Sequence, residues 1–127
     1  MKKVLLLDDD SAQLSIRQLL LERLGGIESQ TATAAESALA LLRSDVGASI
    51  GAVVTDHVMP DMDGPEFVRA VRSFDSQIPV IVVSGLPDAD VAYEGLNVSF
   101  LMKPCEPSDL IALIRSALDS QRPRASA

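Results

Sequence analysis

The 127-residue chain contains no tryptophan and only one tyrosine, one histidine and one cysteine. A single cysteine cannot close an internal disulfide, so the fold must stand on its apolar core, in agreement with a reducing compartment. Three phenylalanines and the tyrosine are its only large aromatics, too few for a platform on which successive bases could stack. Positive charge is also in deficit: 11 Lys and Arg against 18 Asp and Glu leave a formal charge of −7. A nucleic-acid-binding domain carries a basic footprint that neutralises phosphates, and this sequence has none. No apolar run approaches the roughly 18 residues that cross a bilayer, and the first residues do not read as a basic, apolar leader. The expectation is a cytoplasmic protein without membrane insertion.

Apolar residues make up 47% of the chain, enough for a proper core in one domain over residues 1–120. Residues 121–127 read as a frayed tail or the start of a linker. Short apolar runs alternate with helical periodicity. Val4–Leu7 is a buried-strand run that stops at Asp8. Ile16, Leu20 and Leu24 recur at helical spacing before the stop signal Gly25-Gly26. A weaker strand follows over Ile27–Ala32. Thr33-Ala34-Ala35-Glu36 has the form of a capping box, opening a helix that carries Leu39, Leu41 and Leu42. Gly51–Thr55 is the next strand and leads into Asp56. Asp63 can cap a helix with Pro65 in its first turn and Glu66 behind it, its apolar face being Phe67, Val68 and Val71.

Pro79–Val83 is the most strand-like run, continuous rather than alternating, as in a parallel strand covered on both faces. A short, poor helix is expected over Ala89–Glu94 and a fifth strand over Val98–Met102. Leu110, Leu113, Ile114, Ala117 and Leu118 outline a final amphipathic helix. Strands and helices in strict alternation predict an α/β fold, a doubly wound parallel sheet with helices on both faces.

In such a sheet the ligand site lies beyond the carboxyl ends of the strands. Here those ends read Asp8-Asp9-Asp10, Asp56, Ser84 and Lys103-Pro104. Carboxylates gathered at one edge repel each other unless a cation joins them. A hard divalent ion with oxygen ligands answers that need, and Mg²⁺ takes few protein ligands and keeps several waters. A carboxylate beside such an ion can act as a nucleophile towards a phosphoryl donor. The group transferred needs a lysine and a hydroxyl or amide donor around it. Any one of these residues reads equally well as a solvated turn residue; the four ends together do not.

The motifs Leu-Leu-Leu-Asp-Asp-Asp (5–10), Val-Val-Thr-Asp-His-Val-Met-Pro-Asp-Met-Asp-Gly (53–64), Val-Val-Ser-Gly (82–85) and Phe-Leu-Met-Lys-Pro (100–104) resemble, in order and spacing, the response-regulator receiver domain of two-component signal transduction. The resemblance covers nearly the whole chain. It implies a five-stranded (βα)5 flavodoxin-like fold with strand order 2-1-3-4-5. It implies Asp56 as phosphoacceptor, and Mg²⁺ held by Asp8, Asp9 (the more direct ligand), Asp56 and the backbone carbonyl of Val58. Lys103 would pair with the phosphoryl oxygens, Ser84 would hydrogen-bond them, and Phe100 would be the aromatic that turns inward in response. The Lys103-Pro104 peptide would be cis, an isomer that only proline makes cheap. The implied donor is a sensor histidine kinase or a histidine phosphotransfer protein, and the output is an unknown downstream protein target. Such a domain is a signalling switch that catalyses only its own phosphorylation and slow autodephosphorylation.

This sequence departs from the family pattern in three places. The stretch from Ser84 to Lys103 is a few residues short, and Gly85, Pro87, Gly95 and Asn97 spoil its helix. Phe100 lacks the hydroxyl of the tyrosine often found there. Val58 and Leu86 place apolar side chains at two positions that influence hydrolysis, which predicts a long phosphorylated lifetime. The output stays open between a free-standing regulator, a phosphorelay shuttle and a receiver cut from a hybrid kinase, the poor helix and the Arg-Pro-Arg tail leaning slightly towards an excised or hybrid-type receiver.

His57 follows the nucleophile, so its side chain should point away from the pocket in a local structural role. Asp10 reads as a helix cap, and Cys105, Met59 and Met62 as packing residues. Asp61-Met62-Asp63-Gly64 is no calcium loop, because Met59 and Ala70 fall where ligands are needed. Two rival functions use the same residues. A haloacid-dehalogenase-like phosphatase would employ Asp8 and Asp10 but leaves Asp56 without a role. A constitutive receiver-like interaction module usually loses an acidic residue, the nucleophile or the lysine, and none is missing here.

Overall fold

The computed structural model describes residues 2–119, so the 121–127 tail lies outside the described residues. The elements run β1 (Lys3–Leu7), α1 (Ser11–Gly25), β2 (Ser29–Ala32), α2 (Ala35–Arg43), a 3₁₀ turn (Asp45–Ser49), β3 (Ile50–Asp56), α3 (Gly64–Phe74), β4 (Val80–Ser84), a second 3₁₀ turn (Ala89–Tyr93), β5 (Ser99–Met102) and α4 (Pro107–Asp119). All strand pairs are parallel, in the order β2-β1-β3-β4-β5. This is the doubly wound flavodoxin-like sheet, with the 3₁₀ turn Ala89–Tyr93 in place of a fourth regular helix.

The alternation of strand side chains divides the core into two layers. Leu5, Leu7, Val53, Val80 and Val82 pack with α2 and α3 residues such as Leu39, Phe67 and Val71 on one face. Val4, Leu6, Val54, Ile81 and Val83 pack with Leu14 and Leu21 of α1 and with Leu110, Ile111 and Ile114 of α4 on the other. β3 and β4 are buried along their whole length, which is why their sequences are continuous apolar runs. Among the described residues no helix is long and apolar enough to cross a membrane.

Helix starts are set largely by carboxylates. Asp10 caps α1, accepting from the backbone N–H groups of Ala12 and Gln13. Asp63 caps α3 through the N–H of Glu66, with proline in the first turn. Gly26, at φ 62°, closes α1 in the left-handed conformation that glycine adopts without penalty.

Two expectations are corrected. The N-cap of α2 is Ala34, and no side chain caps it; the Thr33 capping box does not form. On α1 the buried residues are Leu14 and Leu21, while Ile16 and Leu24 are exposed. The apolar spacing 16-20-24 had a rival at 14-21, and the rival is the one that faces the sheet.

Arg72 of α3 secures the connections on either side of β4. Its guanidinium donates to the carbonyl oxygens of Leu96 (2.8 Å), Asn97 (3.0 Å), Asp75 (3.2 Å) and Ile78 (2.7 Å). Gly95 and Asn97 take positive φ there (80° and 54°), turning the chain into β5.

Candidate functional site

Strand register alone brings the candidate residues to one rim. Leu7 pairs with Thr55, so one residue further Asp8 stands level with Asp56. Asp56 pairs with Val83, and Ser84 with Met102, so Ser84 stands one residue beyond Asp56 and Lys103 one residue beyond Ser84's partner. The backbone N–H of Lys103 donates to the Ser84 carbonyl at 2.8 Å. The Lys103-Pro104 peptide is cis.

A cleft is lined by Asp8, Asp9, Asp56, Val58, Lys103 and Cys105. Asp8 and Asp56 are 4% and 6% exposed, respectively; Asp9 is on the surface. One carboxylate oxygen from each of Asp8, Asp9 and Asp56 lies within 4.8 Å of the others. Lys103 Nζ stands 3.1 Å from Asp56 Oδ1. That contact is ionic and not aligned as a hydrogen bond, for Oδ1 is a buried oxygen with no hydrogen-bond partner. Arg17 approaches Asp8 Oδ2 at 3.9 Å.

Burial first, and then the neighbouring Asp56 carboxylate, hold Asp8 above the ordinary carboxylate pKa. The backbone N–H of Asp10, which donates to Asp8 Oδ1 at 2.9 Å, and the Arg17 guanidinium act in the opposite direction. Two buried carboxylates side by side, an exposed third and a bare buried oxygen fit a hard divalent cation bound through oxygen. Mg²⁺, the ion receiver domains generally use, suits this donor set.

The remaining candidates surround the same rim. Ser84 Oγ accepts a hydrogen bond from the N–H of Leu86 at 3.0 Å, so its hydroxyl oxygen is turned to the backbone. Val58 and Leu86 are 67% and 52% exposed beside the opening. Phe100 lies outward at the sheet edge, 37% exposed.

Sequence reasoning did not find the neighbourhood of Tyr93. This residue is 3% exposed, and its hydroxyl lies 2.8 Å from His57 Nδ1. Its ring meets Phe100 edge-on, with centroids 5.1 Å apart and planes at 74°. His57 thus has a structural partner. The available signal was a lone aromatic in the segment between Ser84 and Val98.

A family model for the response regulator receiver domain matches residues 4–115. The transcriptional regulatory protein FixJ of Bradyrhizobium diazoefficiens is 33% identical over 126 residues, covering 96% of this chain and 59% of the relative. The transcriptional regulatory protein PrrA of Mycobacterium tuberculosis is 37% identical over 119 residues, covering 91% of this chain and 49% of the relative. The chain thus spans about half to three-fifths of the length of these relatives. Among solved structures, a response regulator receiver domain protein from Clostridium thermocellum superposes with a TM-score of 0.86 at 29% identity, covering 95% of this chain and 97% of that one. Fold, sequence and the meeting of three acidic strand ends in one cleft therefore agree: the chain belongs to the response-regulator receiver domains of two-component signal transduction.

Proposed function

We propose that Asp56 accepts a phosphoryl group from the phosphohistidine of a sensor histidine kinase or histidine phosphotransfer protein, and that the chain then signals to a downstream protein. A receiver domain is a signalling switch rather than an enzyme with a released product. The single observation that carries the assignment to Asp56 is its buried, unpartnered Oδ1, 3.1 Å from Lys103 and within 4.8 Å of oxygens from Asp8 and Asp9. Among the described residues, neither Asp8 nor Asp9 has a lysine within ion-pair distance.

In this reading Asp8, Asp9, Asp56 and the Val58 carbonyl would hold Mg²⁺, which would neutralise the carboxylates and the incoming charge. An oxygen of Asp56 attacks phosphorus, forming the O–P bond as the P–N bond to the donor imidazole breaks. Lys103 shifts from the bare carboxylate to the phosphoryl oxygens. Ser84 surrenders its bond from Leu86 and donates its hydroxyl to the same oxygens, and Phe100 turns inward behind it. The added roughly −1.5 to −2 charges drive these movements. Slow autodephosphorylation is attack by water on phosphorus with cleavage of the acyl O–P bond. The acidic surface and the absence of a basic footprint support a protein partner in the cytoplasm rather than nucleic acid.

Intact mass after incubation with acetyl phosphate and Mg²⁺ tests this directly. The expected result is one phosphoryl adduct, abolished by EDTA and by Asp56→Asn. An adduct retained in Asp56→Asn and located on Asp8 would indicate phosphatase-like chemistry. No adduct together with no binding of beryllofluoride would indicate a constitutive interaction module.

A further inference from the structure

The segment between β4 and β5 is held to the site by one side chain that the receiver motifs do not include. Tyr93 ends the 3₁₀ turn Ala89–Tyr93 and is buried among Val82, Phe67 and their neighbours in the α2–α3 layer. Its hydroxyl reaches His57 Nδ1 at 2.8 Å. His57 directly follows Asp56, and its own backbone N–H bonds to Val83 O on β4 at 3.2 Å. A Cβ at residue 64 would collide with the Tyr93 hydroxyl, so the bond depends on Gly64 as well. Besides Tyr93, the apolar anchorage of the segment is small: Ala89 is buried and Leu96 is partly buried against the core, while Leu86 and Val91 are exposed.

Phe100 shares this layer. It pairs with Val82 across β4 and β5, and Val98, just before β5, packs against the same cluster. Its ring stands edge-on to Tyr93 at 5.1 Å. An inward turn of Phe100 drives it towards volume that the Tyr93 ring already fills, and a close-packed interior does not hold both.

We propose that Tyr93 is the positioning residue that couples the Asp56 site to residues 86–97: docked on His57 it holds the segment closed, and phosphorylation releases it as Phe100 moves in. The coupling rests on the phosphoacceptor reading of Asp56. It makes the shortened segment, rather than a regular helix, the part of the surface that changes. The two states differ in discrete contacts, which is what a switch requires.

Hydrogen exchange of the full chain, with and without beryllofluoride and Mg²⁺, reads the segment directly, and ¹⁹F resonance reports bound fluoroberyllate independently. In the wild type, ligand should speed exchange across 86–97 by about fivefold or more, the equivalent of one lost hydrogen bond. Tyr93→Phe, which keeps the ring and removes the hydroxyl, should show the faster exchange at rest and little further response. Arg72→Lys loosens the same segment from its other end, so it should raise resting exchange yet keep the response to ligand. Bound fluoroberyllate with unchanged exchange in the wild type overturns the coupling alone, as does a wild-type response in Tyr93→Phe. No bound fluoroberyllate overturns the phosphoacceptor reading, and the coupling with it.

Discussion

Gly64 and Tyr93 meet so closely that the tyrosine hydroxyl occupies the place where a Cβ on residue 64 would stand, with Asp56 O and His57 Cα each 3.1 Å from that point. In an exposed helical first turn, Gly64→Ala would stabilise. Here it should destabilise by about 1–3 kcal/mol, because a core filled to density answers an added methyl with strain. The cost should shrink markedly in a Tyr93→Phe background, where the colliding oxygen is gone. A double-mutant cycle by urea denaturation measures this. Equal costs in both backgrounds would show that the strain lies against the backbone of Asp56 and His57 instead.

Asp8 makes the site unstable without metal. Its pKa is raised by burial and by the adjacent Asp56 carboxylate, so the folded state prefers it protonated. The stability this contributes is complete below the ordinary value of 3.8 and lost as pH rises through the raised value. At neutral pH in EDTA, Asp8→Asn should therefore raise the melting temperature. About 1 kcal/mol of residual like-charge repulsion corresponds to roughly 3–5 °C for a domain of this size. Added Mg²⁺ should stabilise the wild type by mass action, about 2.7 kcal/mol at a hundred times its dissociation constant, and the variant much less. A melting temperature below that of the wild type in EDTA would show that Arg17 and the Asp10 amide outweigh the repulsion.

How much of this was legible follows from which interactions are local. β1, β3 and β4 are largely continuous apolar runs, and each ends at or next to a polar residue that the site uses. Asp10 and Asp63 announce their helices because a cap bonds to amides two or three residues away. Thr33 shows the limit of that logic: its pattern is right, but Ala34 holds the cap position. Ile16 and Leu24 were misassigned because two apolar spacings coexist on α1, and only contact with the sheet chooses between them. Tyr93, Gly64 and Arg72 were invisible for a stronger reason. Tyr93 lies 36 residues from its partner His57, and Arg72 lies 24 and 25 residues from the carbonyls of Leu96 and Asn97. No periodicity encodes a pairing at that distance.

Tyr93 is the chain's one tyrosine, so alkaline titration by absorbance follows a single group. Burial, and secondarily the charge of Asp63, push its hydroxyl well above the ordinary value of 10.0. In the folded protein no tyrosinate signal should appear at pH 11, whereas the chain in concentrated urea should titrate near 10. A raised pKa stabilises fully below the unfolded value, so folding stability should fall as pH rises above about 10. A folded-state midpoint near 10 would place the hydroxyl in water rather than on His57.

Val58 and Leu86 bear on how long the phosphorylated state lasts. Both are apolar and exposed at the opening, where neither can hydrogen-bond an attacking water. Val58→Asn or Leu86→Glu should shorten the half-life of the aspartyl phosphate severalfold, a barrier change on the order of 1 kcal/mol. The decay of the phosphoryl mass adduct gives the number. Unchanged decay in both variants would remove the apolar flank as an explanation of lifetime.

Arg72 has a consequence for how the molecule opens. Its one guanidinium serves carbonyls from two separate crossovers, Asp75 and Ile78 before β4 and Leu96 and Asn97 after it. These are bonds from a partly desolvated cation to backbone oxygens. Neither crossover can fray while the other stays intact without stranding part of that donor fork. The two connections flanking β4 are therefore tied to each other through this one side chain, so loosening either weakens the hold on the other.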